Sequence, residues 1–262
     1  MTRQPSATTL TRTIDLNADL GEHEGDRASS DMAMLDLVSS ASIACSAHAG
    51  SPAVMEMTVK AALERGVSIG AHPSYPDREG FGRREIEMPV DEILLSVRDQ
   101  IISLEQTCVM NGARLTYVKP HGALYNRAAR DPDLAAKLAG VVLSINPRLA
   151  MLALSGSALE KESRAAGLQV ACEAFIDRAY MSDGTLMPRN RAGAVINDVS
   201  IAGGRAVEMA KYGKVRSFEG KPVSVTADSL CVHGDSRNAL QIVEKTRRRL
   251  EEVGFTIAPF AV

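Results

Sequence analysis

Four of the chain's five histidines, His48, His72, His121 and His233, directly follow short apolar runs that read as strands, where the chain turns toward a helix. His23 lies further from a strand end, but in the first such segment. Acids and a lysine occupy equivalent positions. Asp15, Asn17, Asp19 and Glu22 lie at and after the first run, Lys119 is beside His121, Glu173 and Asp177 follow the sixth run, and Asp228 and Asp235 flank the last. Imidazole, carboxylate and amine groups in a partly dry cavity can be tuned toward neutral pKa, the condition for general acid–base work on an amide, ester or glycosidic bond. The same donors can hold a divalent metal that polarises a carbonyl and acidifies a water. There is no H-E-x-x-H and no tight His pair, so a metal site has to be assembled from separate segments, Asp19 with His48, His72 or His121.

Each motif has a functional and a structural reading. NADLGE (17–22) is a strand end with two acids on a Gly turn, or simple turn polarity. In KPHGALYN (119–126), Lys119 can stabilise a developing oxyanion while His121 moves a proton; otherwise Lys119 is a salt-bridged core lysine beside a capped turn. HPSYPD (72–77) with GFGRR (80–84) offers Arg83 or Arg84 as a clamp for a carboxylate, though most surface arginines are solvated. EAFIDRAY (173–180) and ADSLCVHGD (227–235) read either as substrate contacts or as buried polar networks closing the fold. SGSAL (155–159) lacks the full G-x-S-x-G elbow, and there is no Walker A sequence for nucleotide.

For such scattered groups to meet, the elements must bring strand ends to one rim, as a parallel β/α barrel does. The apolar runs at 13–17, 41–45, 67–71, 115–118, 149–154, 168–173 and 223–231 predict about seven strands alternating with helices. Ser51-Pro52, Asp131-Pro132 and Pro89 mark helix starts; Gly66, Gly112, Gly167 and Gly254 mark stops. Two polar stretches, 72–88 and 177–195, are long for connections and are expected to be functional loops. The segment 212–225 is a candidate hairpin, residues 1–11 a flexible tail, and 12–262 a single barrel domain.

A net charge of -2 and pI near 6.2 provide no field for nucleic acid or anionic lipid, so a small or neutral ligand is expected. The four cysteines form no C-x-x-C pair and are expected to be reduced and buried. With no long apolar span and no secretory leader, the expected location is the cytoplasm, with no membrane association.

Together, IDLNADLGE (14–22), SIACSAHAG (42–50), GAHPSYPDREGFGRR (70–84), YVKPHGALYN (117–126), EAFIDRAY and ADSLCVHGD resemble the LamB/YcsF family over about residues 13–259. The resemblance implies a distorted β/α barrel similar to glycoside hydrolases and polysaccharide deacetylases. It also implies one subunit of a 5-oxoprolinase, which opens 5-oxo-L-proline to L-glutamate with ATP and two partner subunits, PxpB and PxpC; a related lactam is the alternative substrate. ATP is then bound with or by those partners, and a divalent metal is possible. In that picture the catalytic set is Lys119, His121, Asp19 and Glu173, the first two handling the oxyanion and leaving nitrogen and the acids positioning water. Asn17, His48, His72, Arg83, Asp177, His233 and Asp235 bind substrate, Arg83 through its carboxylate. The chain departs from the family's usual residues at Ser46, Ala47 and Ser51, and at His23-Glu24-Gly25, which implies an altered pocket near strands one and two. Two alternatives are a metal-dependent, carbohydrate deacetylase-like hydrolase needing no ATP, and a non-catalytic lactam-binding subunit.

Overall fold

Strand β1 (Arg12–Leu20) begins a parallel sheet that continues through β2 (Ser40–Ala44), β3 (Ser68–His72), β4 (Leu115–Val118), β5 (Ala150–Leu154) and β6 (Val170–Phe175). In the computed structural model, which describes residues 12–25, 28–234 and 238–262, a last barrel strand pairs with both β6 and β1 and closes the ring at seven. Numbered in chain order after the hairpin strands β7 (Lys214–Arg216) and β8 (Pro222–Ser224), that strand is β9 (Ser229–His233). A short β10 (Phe255–Ile257) pairs with the start of β1. The expected tail, 1–11, and Asp235 lie outside the described residues.

The helices form the outer layer: α1 (Ala28–Leu35), α2 (Pro52–Glu64), α3 (Val90–Met110), α4 (Gly122–Arg130), α5 (Pro132–Ile145), α6 (Ala158–Ala165), α7 (Val199–Tyr212) and α8 (Ala239–Glu252). Their boundaries follow local chemistry. Ser51 Oγ accepts from Val54 N (3.4 Å) and Asp131 Oδ1 from Leu134 N (3.1 Å), each with a Pro next in sequence, where the missing N–H costs no intrahelical bond. Gly66, Gly112, Gly167 and Gly254 all have positive φ where the chain leaves a helix.

Helices cover the outside and side chains fill the inside, so β2, β3, β5 and β9 are buried throughout. Side chains alternate along a strand. Leu16, Ala18 and Leu20 therefore join the apolar core while Asp15, Asn17 and Asp19 point into the barrel.

Three expectations need correction. The first strand does not end at residue 17; it runs to Leu20, because polar residues suit the interior face of this barrel, so Asp19 belongs to the strand with Asn17 and not to a turn. The run 223–231 is two strands: β8 pairs antiparallel with β7, confirming the hairpin, and the chain turns at 225–228 before entering β9. His72 and His233 end their strands, but His48 and His121 stand a few residues beyond, His121 as the residue preceding α4.

Candidate active site at the barrel mouth

The strand register stacks polar groups in layers along the barrel axis. Deepest is Asp15, which accepts from the hydroxyls of Ser39 (2.6 Å), Ser40 (2.7 Å) and Ser229. Burial outweighs these bonds and raises its pKa to about 6. Above it, Asn17 donates to Glu173 Oε1 (2.9 Å) and Ser229 Oγ (2.7 Å), and Tyr125 donates to Glu173 Oε2 (2.8 Å). Lys119 Nζ lies 2.8 Å from both Asp19 Oδ1 and Glu173 Oε1, 3.2 Å from Asn17 Oδ1 and 3.2 Å from Cys231 Sγ. Burial opposes the ammonium charge, but Asp19, with Cys231 and Glu173, holds the Lys119 pKa well above its usual value. Burial likewise opposes the Asp19 carboxylate, and His72 and Lys119 hold it well below the usual range.

Three imidazoles gather next to Asp19. His72 Nδ1 donates to the Lys119 carbonyl (2.7 Å), its Nε2 stands 3.3 Å from Asp19 Oδ2, and His121 Nδ1 lies 2.9 Å from that Nε2. His121 Nε2 donates to the Phe81 carbonyl (3.0 Å). His48 stacks flat on His121, centroids 3.9 Å apart, with Nδ1 on Ser74 Oγ (2.8 Å) and Nε2 3.1 Å from Glu22 Oε1. Gln100 of α3 clamps both Ser74 N and Ser74 O, fixing the hydroxyl that orients His48. Burial lowers His48 to about 4, and burial with its imidazole neighbours His48 and His72 takes His121 well below its usual value. The close packing needs glycine: Gly82 has φ +64, and a Cβ there would stand 2.9 Å from His121 Cδ2 and 3.0 Å from His48 Cβ. Two residue groups bring ligand atoms within 4.8 Å of one another, Asp19 with His72 and His121, and Glu22 with His48 and His121.

Across the mouth, His233 Nδ1 lies 3.0 Å from both oxygens of Asp177, which also accepts from His233 N (3.0 Å). The ring stacks on Phe175 at 5.4 Å, and Nε2 has no hydrogen-bond partner among the described residues. Burial opposes ionised Asp177, but His233 and then Arg178 keep its pKa below the usual range. His233 and the His72–His121 pair border one cavity of about 1040 Å³.

Arg83, Arg178 and Arg189 line the same cavity. Arg83 rests on the Phe81 ring at 4.8 Å. Arg178 is buried, pinned by Met187 O (2.7 Å) and Ala194 O (3.4 Å); burial and the nearby Arg189 lower its pKa. The two long loops supply these residues: Phe81 and Arg83 lie in 72–88, Arg178 and Arg189 in 177–195.

Of the sequence candidates, Asp19, His72, Lys119, His121, Arg83, Arg84 and His233 border the cavity. Asn17, Glu173, His48 and Asp177 stand one layer behind and touch those that do. Asp228 is not near the mouth; it precedes β9, at the other end of the barrel, where Oδ2 accepts from Cys172 N. Arg84 pairs with Asp77, and Ser51 caps α2. His23 lies 6.3 Å from the Phe81 ring. All four cysteines are free and buried, and burial raises each thiol pKa, against nucleophilic use. Ser74, Gln100, Tyr125 and Arg189 were not anticipated. Only their placement in or next to the flagged motifs hinted at Ser74, Tyr125 and Arg189, and nothing local marks Gln100.

Comparison with known proteins places the chain by family and fold. The LamB/YcsF family profile matches residues 14–262. A Heliobacterium modesticaldum protein named as one of the subunits of 5-oxoprolinase is 49% identical, covering 93% of this chain and 96% of its own length. An Agrobacterium fabrum protein named as the same 5-oxoprolinase component is 45% identical over 95% of this chain and 98% of its own. The crystal structure of a lactam utilization protein from Thermus thermophilus superposes with a TM-score of 0.86 at 40% identity, covering 95% of this chain and all of that one.

Proposed function

The chain belongs to the LamB/YcsF family, and from that premise we propose that it is the ring-opening subunit of a 5-oxoprolinase, converting 5-oxo-L-proline to L-glutamate with ATP and the partner subunits PxpB and PxpC. The observation that carries the reading is the meeting of Asp19, Lys119 and His233, held from behind by Asp177, at one cavity that also presents arginines. A five-membered lactam is a stable amide. ATP transfers its terminal phosphoryl group to the ring oxygen, releasing ADP and making the ring carbon electrophilic; water adds to that carbon, the ring C–N bond breaks as the nitrogen takes a proton, and hydrolysis of the resulting acyl phosphate releases inorganic phosphate and L-glutamate. In this reading the partners supply the activation and this barrel, in the cytoplasm, the hydrolysis.

The geometry favours particular roles. Four neighbours already claim the three N–H bonds of Lys119, so Lys119 acts as a fixed positive charge near the developing oxyanion, with Glu173 holding it in place. Asp19 keeps acceptor capacity beyond its bonds to Lys119 and His72 and positions water. Both nitrogens of His121 face protein groups, which makes His233, held by Asp177 with Nε2 open, the better proton donor to nitrogen. Arg83, with Arg178 and Arg189, attracts the substrate carboxylate. The cavity exceeds what a free lactam fills and leaves space for its activated form.

The test mixes the purified chain with both partners, 5-oxoproline and ATP, and follows glutamate. ATP-dependent release that requires this chain supports the proposal. Release from the chain alone without ATP contradicts the coupling, and none from the full mixture points to a different substrate.

A further inference from the structure

Arg178 lies at the start of the long strap between β6 and α7, and its backbone is fixed from both sides. Arg205 of α7 donates to the carbonyls of Arg178 (2.6 Å) and Ile176 (3.1 Å). Ala179 N donates to Ala194 O (2.9 Å) and Met187 N to Ala179 O (2.9 Å), folding the strap back on itself. The Arg178 guanidinium ties the same strap, donating from Nη2 to Met187 O and from Nε to Ala194 O. Those bonds use two of its five N–H groups. Nη1 has no acceptor among the described residues, yet it is not sealed inside protein, so it opens onto the cavity that Arg178 lines.

An arginine only 5% exposed ordinarily has an acid beside it. Arg178 forms no salt bridge among the described residues. Asp177, its neighbour in sequence, is turned to His233. Asp183, the acid of the strap that lines the cavity, is exposed and accepts from Thr185 N (2.9 Å) and Thr185 Oγ1 (2.6 Å). Burial first, then Arg189 and more weakly Arg83, lower the Arg178 pKa against a partly compensating Asp177. A buried cation that opens onto a cavity among like charges is prepared for an anion supplied from outside. The ring order β1-β2-β3-β4-β5-β6-β9 places Arg83, which follows β3, and Arg178 with Arg189, which follow β6, on opposite sides of the mouth. 5-Oxoproline carries its carboxylate on one flank of the ring nitrogen and its carbonyl on the other. Phosphorylation of that carbonyl oxygen gives a ligand with an anion on each flank, the phosphoryl group bearing the larger charge.

We propose that Arg178 and Arg189 form a phosphoryl-binding subsite that takes the phosphate of the O-phosphorylated lactam, while Arg83 on the opposite wall contacts its carboxylate. The identity of this ligand rests on the ring-opening reading. All three arginines attract an anionic ligand from solution, and contact then divides between the two walls. The wall with two guanidinium groups takes the larger charge, and the fork of Arg178 suits a phosphoryl group's paired oxygens. With both anions held, the ring nitrogen is carried between them, over the part of the mouth where Asp19, Lys119 and His233 meet. Arg178 forms no covalent bond and moves no proton; it holds the phosphoryl group while the C–N bond breaks and until inorganic phosphate leaves. The subsite makes the chain prefer the activated lactam to the free one, so it acts after the phosphoryl transfer.

The full chain is titrated by calorimetry with inorganic phosphate and, separately, with 5-oxoproline, without ATP or partners. Saturable binding of phosphate is expected. Arg178→Lys keeps the charge but loses the fork, so phosphate should bind at least about tenfold more weakly while 5-oxoproline affinity falls by less than about threefold. Arg83→Gln should do the reverse, weakening 5-oxoproline by at least about tenfold and phosphate by less than about threefold. If Arg178→Lys fails to fold, Arg189→Gln gives the second reading: phosphate affinity should fall by at least about threefold, and by more than that for 5-oxoproline. No saturable phosphate binding by the wild-type chain, unchanged phosphate affinity in a folded Arg178→Lys or Arg189→Gln chain, or the exchanged pattern, with Arg178→Lys losing the lactam and Arg83→Gln losing phosphate, would each overturn the subsite. Turnover enters none of these readouts. Glutamate release by the complex tests the ring-opening reading by itself, so either can fail while the other stands.

Discussion

Lys119 is the most heavily committed charge in the barrel, and replacing it with Met isolates what that commitment is worth. Its ammonium is 2% exposed, with Asp19 and Glu173 both at 2.8 Å. Met fills similar space but leaves two buried carboxylates without their shared cation. Breaking a buried pair on one side typically costs about 3–5 kcal/mol. For a chain of this size each kcal/mol shifts the midpoint by about 2–4 °C, so Lys119→Met should lower it by roughly 10 °C. Adding Glu173→Gln removes one of the stranded charges and should recover part of the loss, giving a coupling of at least about 1 kcal/mol in the double-mutant cycle. Thermal or denaturant unfolding of the four proteins measures it. Strict additivity, or a Lys119→Met chain as stable as wild type, would refute the idea that this lysine neutralises both acids.

Other expectations follow from the layers above and below. Asp15, with its pKa raised from 3.8 to about 6, binds its proton more tightly folded than unfolded. Its contribution is fully present below pH 3.8, declines as pH rises, and is lost above about 6, a change of about 3 kcal/mol; Asp15→Asn should gain that much on wild type between pH 4 and 6.5 in denaturant titrations. Ser46 has φ +63 and a buried hydroxyl with no partner among the described residues, so Ser46→Gly should stabilise by about 1 kcal/mol, read as a rise in unfolding midpoint. Gly82→Ala places a methyl against His121 and His48, and should cost about 1–3 kcal/mol in denaturant unfolding and shift the imidazole resonances of both.

The β-α alternation was legible because parallel strands buried on both faces form short apolar runs, and the caps at Ser51 and Asp131 are local signals. Most of the candidate site was legible for a related reason: a parallel barrel presents its strand ends on one rim, so position after a strand was enough to pick out His72, Lys119, His121 and His233. Legibility failed where the interior is polar. Asp19 looked like turn chemistry beyond a strand ending at 17, yet with Asp15 and Asn17 it is the inward face of one long strand. It failed again at 223–231, where hairpin and barrel strands have the same composition and only tertiary pairing separates them. Gln100 orients Ser74 from a helix far along the chain, a contact that no local pattern encodes.

The most direct test of the proposed chemistry is glutamate release by the three-subunit complex carrying His233→Gln, alongside calorimetric binding of 5-oxoproline to the variant chain. Turnover should fall by about 10²–10⁴-fold while lactam affinity stays within about threefold, since the lost group moves a proton and does not anchor the ring. Wild-type turnover from that complex would contradict the placing of ring opening at this barrel mouth.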